Sequence, residues 1–144
     1  MKRIYVSGPL TCQANAQRLK ALYEAIADVC QRLGFESYVP HLASDPMQHP
    51  HLSPQHVYNL DRSNVEEADI VIAYVGTPAI GVGQEIEIAR QRGIPVILLY
   101  ETGQIVTRMV RGSPAVIAEV TGFDQVQLLS NLEQVLAGLM ISVH

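Results

Sequence analysis

The chain has 144 residues, the size of one ordinary domain, and 48% of them are hydrophobic, which is enough apolar surface to build a core. Its 14 acidic and 10 basic residues give a net charge of -4, without a long run of either sign. This balance argues against a nucleic acid polymer or an anionic membrane as a partner. We expect residues 1–144 to form a single domain.

The amino-terminal stretch MKRIYVSGPL starts with basic residues, but its apolar run stops at Ser7 and is too short for a signal peptide. No segment reaches the length of a membrane span, so the sequence predicts a cytoplasmic protein. Cys12 and Cys30 lie near the two ends of a predicted helix, roughly 25 Å apart at about 1.5 Å per residue, too far for a disulfide. We expect Cys12 to be a packing or pocket-lining thiol.

Five short apolar runs alternate with longer segments of helical periodicity. This alternation predicts an α/β fold, namely a small doubly wound, flavodoxin-like or Rossmann-like sheet of five mostly parallel strands with helices on both faces. Gly34 and Gly93 are the expected ends of two of the helices. The predicted strands are 3–7, 36–40, 69–75, 95–100 and 114–120, and the predicted helices are 16–33, 54–67, 83–92, 103–111 and 124–139.

Ligands of such open sheets bind at the carboxyl ends of the strands, where the loops into the following helices converge. Three segments meet this condition, namely 7–11 after the first predicted strand, 76–85 after the third and 101–114 after the fourth. Candidate functional residues are therefore expected in these loops.

The segment 77–90, which follows the third predicted strand, has two interpretations. Gly81 and Gly83 follow a strand and open a helix, and Glu101 lies about 20 residues on, as in a dinucleotide site, but Ile86 replaces the third glycine. Alternatively, the loop presents Glu85 as a reactive carboxylate, which a place in the first helical turn would keep ionised. Acids are also enriched in first turns simply because they stabilise helices, so position alone leaves the choice open.

Asp61 lies on the face of its predicted helix that should be apolar. A buried carboxylate needs partners, a wet cavity or a catalytic role, unless the helix breaks and Asp61 or Ser63 caps a new one. Tyr5 lies on the same side of the first strand as Ser7 and could orient a carboxylate by a hydrogen bond. The alternative for Tyr5 is a core aromatic whose hydroxyl bonds a backbone carbonyl.

Two further groups of side chains are weaker candidates. Several histidines fall in the Pro-rich segment 41–56; they have no recognised metal-ligand spacing, and we favour a mobile flap over the pocket instead. Arg108 and Arg111 lie beside Thr107 and could hold one phosphate group, or could simply form a solvated helix end. We expect no metal and no cofactor.

Taken in order, these residues resemble the nucleoside 2-deoxyribosyltransferase family, with a pattern most similar to its 2'-deoxynucleoside 5'-monophosphate N-hydrolases. The segments that carry the resemblance are IYVSGPL, Asp61 with the following EEADIVIAYV, then GVGQEIEIARQRGIPVILLY and TRMVRG. The resemblance implies an enzyme that cleaves the N-glycosidic bond of a 2'-deoxynucleoside or its 5'-monophosphate. The sugar then passes to water or to a second base.

The resemblance also implies roles for individual residues. Glu85 matches the nucleophile that attacks the anomeric carbon, Tyr5 the residue that orients it, and Asp61 a proton donor to the leaving base. By analogy with retaining glycosidases, we expect the two carboxyl groups to lie roughly 5 to 8 Å apart in one pocket. Thr107 and Met109 match residues that reach into a neighbouring subunit, which implies a homodimer or a higher homo-oligomer. The implied substrate-binding residues are Ser7, Gly8, Pro9, Leu10, Ala79, Gly81, Gly83, Thr107, Met109 and Arg111.

Three positions depart from the hydrolase pattern. Ala79 stands where the hydrolases have a phosphate-binding serine and the transferases an aspartate, Thr11 replaces an arginine, and Tyr58 replaces a histidine. The first two changes argue against a bound 5'-phosphate, although Arg111, Thr77 or Thr107 could compensate. They also motivate an alternative function, a non-catalytic nucleotide-binding module on the same fold.

Overall fold

The computed structural model describes residues 2–11, 13–46 and 48–142. Its strands are β1 (Arg3–Ser7), β2 (Glu36–Tyr38), β3 (Ile70–Tyr74), β4 (Val96–Glu101) and β5 (Val116–Gly122). They form one sheet in the order β2-β1-β3-β4-β5, and every neighbouring pair is parallel. This is the strand order of a flavodoxin-like doubly wound sheet, so the predicted fold class is confirmed.

Helices cover both faces of this sheet. They are α1 (Ala16–Arg32), α2 (His41–Ser44), α3 (Pro54–Glu66), α4 (Ile80–Gln91), α5 (Arg108–Arg111) and α6 (Gln125–Ser142), and a 3₁₀ turn at Gln13–Asn15 precedes α1. The long helices α1 and α6 pack on one face, whereas α3 and α4 pack on the other. Gly34 and Gly93 follow α1 and α4 with φ angles of 90° and 70°, a conformation that ends helices and favours glycine.

The alternation of β1 decides what each face receives. Ile4 and Val6 enter the apolar cluster beneath α1 and α6. Tyr5 and Ser7 point to the opposite face, because successive side chains of a strand alternate. One strand thus supplies a dry core on one side and two hydroxyl groups on the other.

The predicted helix 103–111 is wrong over its first half, because only Arg108–Arg111 is helical. Gly103 has a φ of 91°, which a helix does not accept. The Gln104 side chain accepts the Glu101 N–H at 2.9 Å and donates to the Gly76 carbonyl at 3.1 Å. These bonds hold residues 101–104 in a turn.

Other boundaries differ by a few residues. The fifth strand begins at Val116 rather than at residue 114, since Pro114 has no N–H to donate to a strand ladder. The helix α4 begins at Ile80 rather than at residue 83, which places Glu85 in its second turn. The helix α3 is unbroken from Pro54 to Glu66, so the alternative in which Asp61 or Ser63 caps a new helix is wrong.

Cys12 lies outside the described residues, and with it the expectations for its role and for its distance from Cys30. Cys30 is a buried free thiol of α1, and burial raises its pKa to about 12. Within the described part of the chain, none of the helices combines the length and the apolar character that crossing a membrane requires. The same residues contain no group of three or more potential His, Cys, Asp or Glu metal ligands.

Candidate active site

A pocket of about 610 Å³ opens at the carboxyl ends of β1 and β3, where the strand order reverses direction. The loop after β1, one face of α3 and the start of α4 form its walls. Ligands of doubly wound sheets bind at this topological switch point. The pocket brings together seven of the predicted site residues, which are Gly8, Pro9, Leu10, Asp61, Ala79, Gly81 and Glu85.

The carboxylate of Glu85 is held at both oxygens. The Tyr5 hydroxyl donates to Oε2, and the Ser7 hydroxyl donates to Oε1 over 2.8 Å. Both donors project from β1 and are fully buried behind the carboxylate. Tyr5 therefore bonds Glu85 as the family resemblance implies, and the alternative of a bond to a backbone carbonyl is wrong. Ser7, expected to line the pocket, instead supports Glu85 from behind.

The protonation of Glu85 is set by its surroundings. Burial raises its pKa to about 7, while the hydrogen bonds from Tyr5 and Ser7 act in the opposite direction and the charge of Asp61 adds to the rise. The expectation that a first-turn position keeps Glu85 ionised is therefore wrong, since it lies one turn further along α4. Burial and the charge of Glu85 also raise the pKa of Tyr5, so its phenol stays protonated and can donate.

Asp61 faces the same pocket from the middle of α3. Burial raises its pKa to about 6, and its Oδ1 atom is buried without a hydrogen-bond partner among the described residues. Such a carboxyl group keeps a proton up to nearly neutral pH. Asp61 and Glu85 are electrostatically coupled, because the charge of Asp61 raises the pKa of Glu85. Their predicted separation stays a prediction.

The first loop is anchored from the opposite face of the sheet. The hydroxyl of Tyr23, on α1, donates to the Pro9 carbonyl over 2.9 Å. A Cβ atom on Gly8 would collide with the Tyr23 ring, so this close approach requires glycine. Tyr23 therefore fixes the loop that forms one wall of the pocket.

A second cavity of about 340 Å³ adjoins the first at Ala79. Ala79 is the N-cap residue of α4, with no side-chain hydrogen bond to the first turn. Thr107 and Gly83 line this second cavity, together with apolar side chains of Val75, Val82, Ile105, Val106 and Val110. The space beside Ala79 is thus mostly apolar.

Other predicted residues lie elsewhere. Met109 is 87% exposed, and Arg111 donates to Glu119 of β5 over 2.7 Å; neither lines the pocket. Glu101, the acid required by the dinucleotide interpretation, accepts the Tyr74 hydroxyl at 2.6 Å and pairs with Arg18. These contacts leave the dinucleotide interpretation without its acidic residue.

The expected flap is not part of the described pocket wall, in which the segment 41–56 is represented only by Pro54. Its residue His41 is 5% exposed and packs beside Tyr23 of α1, with ring centroids 6.1 Å apart. Burial lowers the pKa of His41. This end of the segment therefore packs against α1.

Two residues near the acids were not anticipated from the sequence. Arg62 follows Asp61 on α3, lines the pocket and donates to Glu66 over 2.9 Å. Tyr38 of β2 stacks on Tyr5, with ring centroids 5.6 Å apart. Arg62 is adjacent to a candidate acid in the sequence, whereas the position of Tyr38 depends on the pairing of β1 with β2, which no local pattern encodes.

The comparison with known families gives an independent result. Residues 4–117 match the model of the family described as nucleoside 2-deoxyribosyltransferase. The chain belongs to this family. As a nucleoside 2-deoxyribosyltransferase family member it is an enzyme that hydrolyses or transfers a glycosyl group, and the match includes Tyr5, Asp61 and Glu85.

One relative and two solved structures are similar to this member of the nucleoside 2-deoxyribosyltransferase family. A Methanosarcina mazei protein, provisionally named 2'-deoxynucleoside 5'-phosphate N-hydrolase 1, is 30% identical over 133 residues, which cover 91% of this chain and 81% of that protein. The CMP N-glycosidase BcmB of Clostridium botulinum superposes with a TM-score of 0.71 at 22% identity, covering 92% and 98% of the two chains. A Bacillus psychrosaccharolyticus 2-deoxyribosyltransferase gives 0.62 at 23% identity, covering 86% and 88%. These two structures support the fold.

Proposed function

We propose that this enzyme cleaves the N-glycosidic bond of a 2'-deoxynucleoside or its 5'-monophosphate, with Glu85 as the nucleophile. The observation that carries the proposal is the Glu85 carboxylate, held between the Tyr5 and Ser7 hydroxyls and facing the same pocket as Asp61. Two carboxyl groups in one pocket are the usual apparatus of glycosyl transfer.

In the proposed reaction, a Glu85 oxygen forms a bond to the anomeric carbon while the bond from that carbon to the base nitrogen breaks. The electron pair of the broken bond goes to the base, and Asp61 supplies the proton that makes the base a neutral leaving group. Water then attacks the same carbon, the bond from that carbon to the Glu85 oxygen breaks and its electron pair restores the carboxylate, and a proton of the water goes to Asp61. A second base in place of water would give transfer.

The reaction needs one proton shared by the two acids. Because burial raises the pKa of Asp61 to about 6 and that of Glu85 to about 7, the pair holds a single proton between these values, and without substrate the order of the two pKa values places it on Glu85. The donors Tyr5 and Ser7 favour the ionised form of Glu85, whereas the Oδ1 atom of Asp61 has no donor among the described residues. We therefore propose that the proton moves from Glu85 to Asp61 when substrate binds, because the positive charge that develops on the sugar adds to the two donors in stabilising an ionised Glu85.

The observations differ on whether the 5' position of the substrate carries a phosphate. The name of the Methanosarcina mazei relative supports a 5'-monophosphate. The apolar cavity beside Ala79, and the pairing of Arg111 with Glu119, favour a nucleoside with a free 5'-hydroxyl. Both substrates belong in the assay.

The test is release of free base from a panel of 2'-deoxynucleosides, ribonucleosides and their 5'-monophosphates, followed by chromatography. Glu85→Ala should reduce release by at least about a thousandfold, as loss of a nucleophile does. The matched control is Glu87→Ala, since Glu87 lies on the same helix, is exposed and pairs with Arg90 at 2.6 Å. Tight nucleotide binding without turnover would instead support the binding-module alternative. Full activity in Glu85→Ala would refute Glu85 as nucleophile.

We also propose that the enzyme is a homodimer or a higher homo-oligomer and acts in the cytoplasm. Ile80, Ile105 and Met109 are 87%, 98% and 87% exposed, and the first two line the second cavity. Exposed apolar groups of this kind mark interaction surfaces. Sedimentation analysis should show a dimer or larger oligomer for the wild type and a smaller species for Met109→Asp. A wild-type monomer at micromolar concentration would contradict the proposal.

A further inference from the structure

Three buried polar atoms near the acid pair have no hydrogen-bond partner among the residues that the structure describes. They are Arg3 Nε, Tyr38 Oη and Asp61 Oδ1. Buried polar side-chain atoms are nearly always hydrogen-bonded in folded proteins, so each unpartnered atom requires an explanation. Because these three atoms lie in one region, a single explanation can account for all of them.

The strand register places two of these residues on the face that holds Glu85. Tyr38 lies directly opposite Tyr5 in the parallel pair of β1 and β2, and their rings are inclined by only 25°. Arg3 lies two residues before Tyr5, so its side chain leaves β1 on the same side. The Arg3 Nη1 atom donates to Glu67 over 2.8 Å, while its Nε–H finds no acceptor among the described residues.

The three atoms are chemically complementary. A guanidinium Nε–H can only donate, a carboxylate oxygen can only accept, and a phenol hydroxyl can do both. Burial raises the pKa of Tyr38, the charge of Asp61 raises it further, and the charge of Arg3 lowers it. Both charged groups are therefore within electrostatic range of the Tyr38 hydroxyl, which keeps its proton.

We propose that Tyr38 and Arg3 are positioning residues for Asp61, in a chain in which Arg3 Nε–H donates to the Tyr38 oxygen and the Tyr38 hydroxyl donates to Asp61 Oδ1, each through one bridging water. The role of this hydrogen-bond chain in catalysis rests on the proposed function. The bond at Oδ1 leaves Oδ2 to carry the acidic proton towards the pocket. After that proton has passed to the base, the same bond stabilises the Asp61 carboxylate.

The proposal predicts how Asp61 titrates, and several other groups contribute to that titration. The titratable and charged side chains around Asp61 come from four elements, namely Arg3 and Tyr5 of β1, Tyr38 of β2, Tyr58 and Arg62 of α3, and Glu85 of α4. The substitution Tyr38→Phe removes one hydroxyl and leaves all the charges in place. It therefore isolates the hydrogen bond from the electrostatic background.

The experiment is a carbon-detected NMR titration of the Asp61 carboxyl group in the full chain without substrate. A lost hydrogen bond to the ionised form raises the pKa of an acid, so Tyr38→Phe should raise that of Asp61 by about one unit. The matched control is Tyr100→Phe, because Tyr100 donates to Glu119 over 2.9 Å and does not line the pocket. A shift below about 0.2 unit in Tyr38→Phe, or an equal shift in the control, would overturn the proposal.

A second variant tests the first link of the chain. Arg3→Lys keeps the positive charge and the backbone N–H that donates to Asp69 over 2.8 Å, but loses the Nε–H group. We expect an upward shift of the Asp61 pKa smaller than that in Tyr38→Phe. No shift would overturn the part assigned to Arg3.

Kinetics separates this proposal from the proposed function. Where the wild type releases base, Tyr38→Phe should lower kcat about tenfold with little change in KM. It should also move the alkaline limb of the pH profile of kcat/KM to higher pH, by the shift seen in the titration of the free enzyme. An unmoved limb would overturn the proposal. The NMR titration requires no turnover, so a wild type that releases no base would refute the proposed function and leave the hydrogen-bond chain decided by the titration.

Discussion

The two faces of the sheet are built from the same strands but carry different kinds of side chain. Beneath α1 and α6, Ile4, Val6, Leu128, Leu132 and Leu136 belong to an apolar cluster, and each is at most 1% exposed. Beneath α3 and α4, the same strand β1 presents hydroxyl groups to a partly buried carboxylate that faces the pocket. The alternation of one strand therefore separates a face that stabilises the fold from a face that carries the chemistry.

The difference has an energetic consequence. Burial of aliphatic side chains lowers the free energy of the folded state, whereas burial of carboxyl groups raises it unless they are protonated or hydrogen-bonded. The raised pKa values of Asp61 and Glu85 express this cost. We therefore expect substitutions on the α3/α4 face to affect activity more than stability, and substitutions on the α1/α6 face to do the opposite.

Among the variants that compare the two faces, the largest effect is expected for Asp61→Asn. Loss of a general acid should lower kcat for base release by about a hundredfold to a thousandfold. The thermal midpoint at pH 8 should stay equal or rise, because the amide removes a buried charge that has an unpartnered oxygen among the described residues. Base-release assays and calorimetry on the same sample check both. A lower thermal midpoint with unchanged kcat would contradict the expectation that Asp61 contributes to activity rather than to stability.

The converse test is Leu132→Ala on the α1/α6 face. Leu132 is 0% exposed, and truncation of a buried leucine costs about 2 to 5 kcal/mol of unfolding free energy. Activity per folded molecule should change less than about twofold, since α6 packs on β4 and β5 across the sheet from the pocket. Urea unfolding and active-site titration measure the two quantities. A large loss of activity in fully folded protein would show that the faces are coupled.

The pH dependence of stability provides a third comparison. The folded protein has raised pKa values at Asp61 and Glu85, from 3.8 to about 6 and from 4.5 to about 7, so it binds these protons more tightly than the unfolded chain does. Their contribution to stability is therefore present below about pH 4 and is lost as the pH rises towards 7. Allowing for partial exposure, the loss should be about 2 to 3 kcal/mol relative to the double variant Asp61→Asn, Glu85→Gln. Urea unfolding at a series of pH values measures this difference. Unfolding free energies that change equally with pH in both proteins would contradict the assignment.

The contrast between the faces also explains which features were predictable from the sequence. The alternation of strands and helices predicted the fold class, and the acid on an apolar helical face pointed to Asp61. The pairing of Ser7 with Glu85 and the stacking of Tyr38 on Tyr5 were missed. Both depend on how distant elements come together, because Glu85 lies 78 residues after Ser7 and the β1/β2 register is fixed by packing.

Local chemistry explains the remaining difference. The segment after β4 contains apolar and polar residues at helical spacing, yet only its last residues form α5. Gly103 and the β-branched residues Ile105 to Thr107 disfavour a helix, and Thr107 provides the N-cap, with its hydroxyl accepting the Met109 N–H at 3.3 Å. Periodicity alone cannot weigh these local preferences against one another.

The smallest expected effect is that of Ala79→Ser, at the boundary of the two cavities. A serine at the N-cap of α4 can accept a backbone N–H of the first turn, which should stabilise the protein by about 0.5 to 1 kcal/mol. The control Ala21→Ser places the same change at an exposed position inside α1, where serine is slightly unfavourable. If a 5'-phosphate lies beside residue 79, the new hydroxyl should also lower KM for the monophosphate without changing KM for the nucleoside. An equal change for both substrates would place the phosphate elsewhere, and Ala79 would then affect only the helix that carries Glu85.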